Sequence, residues 1–137
     1  MKENDLKEMS EYVHAGTKKS PAVRLDAAQG LIEIRGSSIM EDTQKFYKPV
    51  FDWIKDYVCH PRDLAIHIEF SFFNTSTART LVNMLKTLST IKNSGCKLEI
   101  YWYYPEDDVD IMEAGKDFSW VVQMQFNYVS RPATPEA

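Results

Sequence analysis

Apolar residues along the 137-residue chain recur with two different periods, and the changes between them mark out the elements. In "AVRLD", residues 22–26, Val23 and Leu25 fall on one face, and "LIEIR" follows after a link that ends in Gly30. Two short strands around a Gly-containing turn predict a hairpin. Over "MEDTQKFYKPVFDWIKDYV" the spacing becomes three and four, with Phe46, Val50, Trp53, Ile54, Tyr57 and Val58 forming the apolar face of a helix. Pro49 lacks an N–H and crowds the preceding turn, which predicts a kink or a helix that begins near Lys48.

"DLAIHIEFSFF" is apolar at nearly every other position and aromatic at its end, as a central strand is. From Thr77 to Asn93 the stripe of Ala78, Leu81, Val82, Leu85, Leu88 and Ile91 predicts a helix, stopped by "NSG" with Gly95 in the left-handed conformation. "KLEIYWYY" predicts a strand with Leu98, Ile100 and Trp102 on one side. A short helix through Met112 and Phe118 follows, and the alternation of "WVVQMQFNY" from Trp120 to Tyr128 predicts a last strand at a sheet edge.

The predicted order is β-β-α-β-α-β-α-β, an α/β fold whose mixed sheet contains parallel pairs joined by right-handed crossovers. Residues 1–19 are polar without a sustained period and read as a flexible arm. Residues 20–129 form a single domain, and 130–137, "SRPATPEA", read as a flexible tail.

Composition narrows the function. With 44% hydrophobic and 26% charged residues the chain resembles an ordinary globular protein. Its 16 basic and 20 acidic residues give a net charge of -4 without a Lys/Arg block, so no nucleic-acid footprint is expected. Nothing approaches the roughly 20 apolar residues of a membrane span. The charged start "MKENDLKEMSEY" does not read as a secretory signal. Cys59 and Cys96 form no CxxC pair and read as reduced thiols, so a cytoplasmic protein is expected.

The candidate chemistry lies at "FFNTSTARTLVNMLKTL", where Asn74, Thr75, Ser76 and Thr77 separate a strand from a helix. In α/β sheets, strand C-termini that meet helix N-termini are where sites gather. One of Asn74, Thr75 and Ser76 is expected to be the N-cap, because the first N–H groups of a helix have no internal acceptor. The same end carries about half a positive charge and welcomes a phosphate. A phosphorylated hydroxyl there would add a charge of about -1.5 to -2 on an exposed rim, within reach of Arg79 one turn on.

That segment resembles the strand–Asn-Thr-Ser–helix region of the SiaC family of bacterial regulatory phosphoproteins. The likeness continues through "KFYKPVFDWIKDYV", "IYWYYPEDD" and "MEAGKDF", and spans about residues 20 to 128. It implies a fold similar to STAS-type anti-sigma-factor antagonists, by topology only, since the Asp-Ser-Ser-Gly type of motif is absent and Asn74 stands where an acid is expected. It also implies a protein without catalysis or cofactor. The resemblance further implies that a partner kinase phosphorylates the Thr of the motif, that a PP2C-like phosphatase removes the phosphate, and that the unmodified form engages and activates a diguanylate cyclase. Carried over, the acceptor is Thr75, with Ser76 and Thr77 as second choices, and the partner-binding rim is Asn74, Thr75, Ser76, Thr77 and Arg79.

Other residues point elsewhere only weakly. His14, His60 and His67 are not at ligand spacing, and the acids Asp107, Asp108 and Asp110 of "PEDDVD" lack the Gly and distal Glu of a calcium loop. Asp107 or Asp108 is expected to cap the next helix. Tyr101 and Tyr103 face away from Trp102 and belong either to a core or to an interface. The alternative function is an anion or small-molecule binding domain that uses the same helix N-terminus without covalent modification.

Overall fold

The computed structural model describes residues 11–133. Among the described residues six strands lie side by side in chain order: β1 (Glu11–His14), β2 (Ala22–Asp26), β3 (Leu31–Ser38), β4 (Leu64–Phe73), β5 (Leu98–Pro105) and β6 (Asn127–Arg131). The first three are antiparallel neighbours, and β3 to β6 are parallel. Each parallel step is made by a helix: α1 (Thr43–Cys59), α2 (Thr75–Leu88) and α3 (Val109–Val122). Crossovers of one hand between successive neighbours put all three helices on the same side of the sheet. There α1 packs on α2, and α2 on α3.

Register makes that side apolar. Val23 pairs with Ile34 and Leu25 with Ile32; Ile66 stands between Ile32 and Ile100, and Ile68 between Ile34 and Trp102. All eight of these side chains are buried. The helices close the core with Tyr47, Val50, Ile54 and Tyr57 from α1 and Leu81, Met84, Leu85 and Leu88 from α2. Trp102, fully buried, donates from Nε1 to the Ile111 carbonyl at 2.9 Å and so ties β5 to α3.

The hairpin of β2 and β3 is as expected. Its turn is closed by Gln29 N–H donating to Asp26 at 3.1 Å, and Gly30 takes φ 67 where a Cβ would collide with the Asp63 carbonyl. Four expectations change. Glu11–His14, assigned to the arm, forms the edge strand β1; four residues are too few to show a period, and the pairing rests on backbone hydrogen bonds with β2. The rest of the expected arm, residues 1–10, lies outside the described residues. The helix α1 starts at Thr43, with Asp42 accepting from Lys45 N–H at 3.0 Å, and runs through Pro49. Pro49 lies on the exposed face, where water can take the carbonyl its missing N–H leaves unbonded.

The helix α2 starts two residues earlier than expected, ends at Leu88 and passes into a 3-10 turn, Ser89–Ser94, which Gly95 ends at φ 80. Trp120 to Val122 complete α3 rather than begin the last strand. Gln123 caps α3 at φ 55, and β6 occupies Asn127–Arg131, so Ser130 and Arg131 belong to the sheet rather than to the tail. Residues 134–137 of the expected tail lie outside the described residues.

Candidate functional site

Where β4 runs into α2, the three hydroxyls are placed in three different surroundings. Asn74 is the N-cap: its backbone is extended and its Oδ1 accepts from Thr77 N–H at 2.9 Å. Its side-chain amide donates to the Met40 carbonyl at 3.2 Å, and its own N–H to the Ser38 carbonyl at 3.2 Å. The junction is thereby fastened to the β3–α1 connection. Thr75 and Ser76, the first two helical residues, are exposed, and helix geometry leaves their N–H groups without internal acceptors.

Thr77 is the opposite. It is 1% exposed, and its hydroxyl donates to the Ser38 carbonyl at 2.8 Å. The Thr77 and Ser38 hydroxyls are 2.8 Å apart, and Ser38 Oγ is 2.8 Å from Tyr47 Oη. Burial raises the Tyr47 phenol to about 12, against a smaller lowering by the Ser38 contact, so Tyr47 stays protonated in this chain of hydroxyls. Expected as a second-choice acceptor and a rim contact, Thr77 is instead a buried joint between α2, β3 and α1.

Arg79 follows one turn after Thr75 and is exposed. It lies on a ridge between two hollows. On the α3 side is a groove of about 520 Å³, walled by Thr75, Ala78, Arg79, Val82 and Asn83 of α2 and by Ala114, Asp117, Phe118 and Val121 of α3, with Phe73 at the end of β4. On the α1 side is a polar cleft of about 400 Å³, where Ser76, Thr80 and Arg79 face Glu41 and Asp42. Thr75 therefore opens on a mainly apolar groove, and Ser76 on a polar cleft.

The groove's α3 wall is the part that sequence reasoning missed. With Val121 read as strand, this side chain, 50% exposed, had no reason to be placed beside α2. The acidic segment acts as expected of a helix start: Asp108 caps α3 by accepting from Ile111 N–H at 3.0 Å, and Asp110 lies in the first turn.

The second face of the sheet carries Tyr101 and Tyr103, partly exposed, in a polar and aromatic network. Tyr103 Oη lies 2.7 Å from His67 Nδ1, and the His67 ring stacks on Tyr101 at 4.8 Å. The Arg35 and Arg131 guanidinium groups lie 4.8 and 4.6 Å from the Tyr103 ring centre, and both pair with Glu69, at 2.6 and 3.2 Å. Desolvation, then the Arg35 charge, lowers the pKa of His67. His14 on β1 and His60 at the end of α1 lie elsewhere. Among the described residues no three His, Cys, Asp or Glu side chains form a metal-ligand cluster, and no helix is long and apolar enough to cross a membrane. Cys59 and Cys96 are unpaired thiols.

Comparison with known proteins adds a family. The model described as "SiaC family regulatory phosphoprotein" matches residues 14–131. An uncharacterized protein of Pseudomonas aeruginosa is 23% identical over 111 residues, 80% of this chain and 88% of that protein. SiaC of Pseudomonas aeruginosa superposes with a TM-score of 0.77 at 21% identity, covering 90% of this chain and 98% of that one. A solved structure of the diguanylate cyclase SiaD in complex with its activator SiaC, from the same organism, contains a chain that matches with a TM-score of 0.79. That match is 20% identical and covers 88% of this chain and 98% of the other.

Proposed function

Because the chain belongs to the SiaC family of regulatory phosphoproteins, we propose that it is a non-enzymatic phosphoswitch adaptor of the cytoplasm. A partner kinase phosphorylates Thr75, a PP2C-like phosphatase removes the phosphate, and the unmodified form binds and activates a diguanylate cyclase. The cyclase is inferred from the Pseudomonas aeruginosa SiaC structure, in which that relative is the activator of one.

One observation carries the choice of residue: of the three adjacent hydroxyls, only Thr75 both is exposed and lines the apolar groove. Thr77 is committed to Ser38, and Ser76 lines the other hollow. A phosphate on Thr75 meets the positive end of α2 and its open N–H groups, so the fold tolerates it. The effect falls on whatever covers that rim, formed by Asn74, Thr75, Ser76 and Arg79. Covering that dianion with a partner surface costs several kcal/mol, enough to abolish micromolar binding.

The test is labelling by the cognate kinase with site mapping, followed by cyclase activation. Wild type and Thr77→Val are labelled and Thr75→Ala is not, while the unmodified chain activates the cyclase and the phosphorylated one does not. Thr75→Asp, with less charge and a different shape, weakens activation only in part. Labelling of Thr75→Ala equal to wild type moves the site to Ser76, and equal activation by both forms defeats the switch. Phosphate-free protein from the native host, with a small anion bound at α2 instead, favours the anion-binding alternative.

A further inference from the structure

The groove between α2 and α3 has a shape and charge pattern that specify an occupant. Along α2 its lining runs from Thr75 to Asn83, and along α3 from Ala114 to Val121. At 1.5 Å per residue these walls are about 12 and about 10 Å long, the distance over which a helix presents apolar residues i, i+3 or i+4, and i+7. The small side chains Ala78 and Ala114 leave room between the walls, and Val82, Phe118 and Val121 make them apolar.

Two charges interrupt this lining: Arg79 on the α2 wall and Asp117 on the α3 wall. Neither has an ion-pair partner among the described residues, whereas Arg35 and Arg131 on the far face both share Glu69. We propose that the groove docks an amphipathic helix of the partner, with a carboxylate that meets Arg79 and a basic side chain that meets Asp117, and that a phosphate on Thr75 closes it by capturing Arg79. This rests on the phosphoswitch reading for the phosphate, but not for the groove.

A second copy of the chain is a poorer occupant, because an isologous contact would set one concave surface against the same concave surface. The capture step follows from helix geometry. Thr75 and Arg79 stand four apart on one face, and a phosphothreonine accepts strong hydrogen bonds from a guanidinium. Arg79 is then lost to the partner's carboxylate, which the phosphate also repels.

The proposal is tested by calorimetric titration of the full chain against the full-length diguanylate cyclase, in unmodified and phosphorylated forms, with folding monitored by circular dichroism. Val121→Asp, at a half-exposed position, is expected to fold and to lose affinity about a hundredfold, because a carboxylate is pressed against an apolar surface. Arg79→Ala should lose about tenfold, the scale of one charge-assisted contact, and its further loss on phosphorylation should be smaller than in wild type. Tyr101→Ala, on the opposite face, should bind as wild type does.

Equal binding by Val121→Asp and wild type overturns the groove even if phosphorylation still blocks binding. An unchanged phosphorylation effect in Arg79→Ala overturns the capture step. If phosphorylated wild type binds as well as unmodified but Val121→Asp does not bind, the Thr75 reading falls and the groove stands. A folded wild type that does not bind the cyclase, or that dimerises through Val121, overturns the occupant.

Discussion

Replacing Thr77 by valine keeps the outline of the side chain and deletes only its hydroxyl. In the folded protein that hydroxyl gives one hydrogen bond to the Ser38 carbonyl and shares another with Ser38 Oγ, each at 2.8 Å. Neither Ser38 oxygen is fully orphaned by the change. The carbonyl still accepts from Asn74 N–H at 3.2 Å, and Oγ still has Tyr47 at 2.8 Å. The loss should therefore sit in the lower part of the range for a buried hydrogen bond, about 1–2 kcal/mol. In a domain of this size that lowers the melting temperature by about 3–10 °C. Thr75→Val, at an exposed position, should stay within about 0.5 kcal/mol of wild type. Urea denaturation of the two variants beside wild type, analysed with a common slope, measures the difference. A Thr75→Val loss as large as that of Thr77→Val would falsify the division into a structural hydroxyl and a regulatory one.

Three further outcomes follow from the packing. Leu85→Ala, at a fully buried position of α2, should cost about 2–5 kcal/mol by leaving a cavity, well above any cap change at Asn74; chemical denaturation compares the two. Gly115→Ala should destabilise despite its helix-propensity gain of about 1 kcal/mol, since the new Cβ would stand 2.5 Å from the rigid, buried Trp102 indole; a net loss of about 1–2 kcal/mol is expected, and a rise in melting temperature would refute it. His67 binds its proton less readily in the folded chain than at the ordinary 6.5, so its share of stability is intact above that pH and is lost as pH falls below it. In His67→Gln the stability difference between pH 7 and pH 5 should shrink, and an unaltered difference would count against this role.

The periodicities that local chain geometry imposes were readable without coordinates. Period-two runs at 22–26, 64–73 and 98–105 gave strands, and the 3.6-residue stripe of Leu81, Leu85 and Leu88 gave α2. Even the burial of Thr77 had a signal, since it stands four residues before Leu81 on that stripe. Pattern failed where two geometries produce the same burial. Val122, Met124 and Phe126 alternate as a strand would, yet they are buried from a helix end, a left-handed Gln123 and an irregular link. The edge strand β1 was hidden because its four residues are held by backbone pairing, which any side chains permit.

The site divides in the same way. By itself the sequence determined a polar junction at a helix start, because capping chemistry is local, and its likeness to a family singled out Thr75. Only the tertiary structure decided which hydroxyl is buried, which opens on which hollow, and that Arg79 and Asp117 flank one groove. Those depend on β3, α1 and α3 reaching α2 from about 30 or more residues away. No local pattern records such a meeting, because the apolar faces that drive it are interchangeable until the sheet register and the hand of the crossovers bring them together.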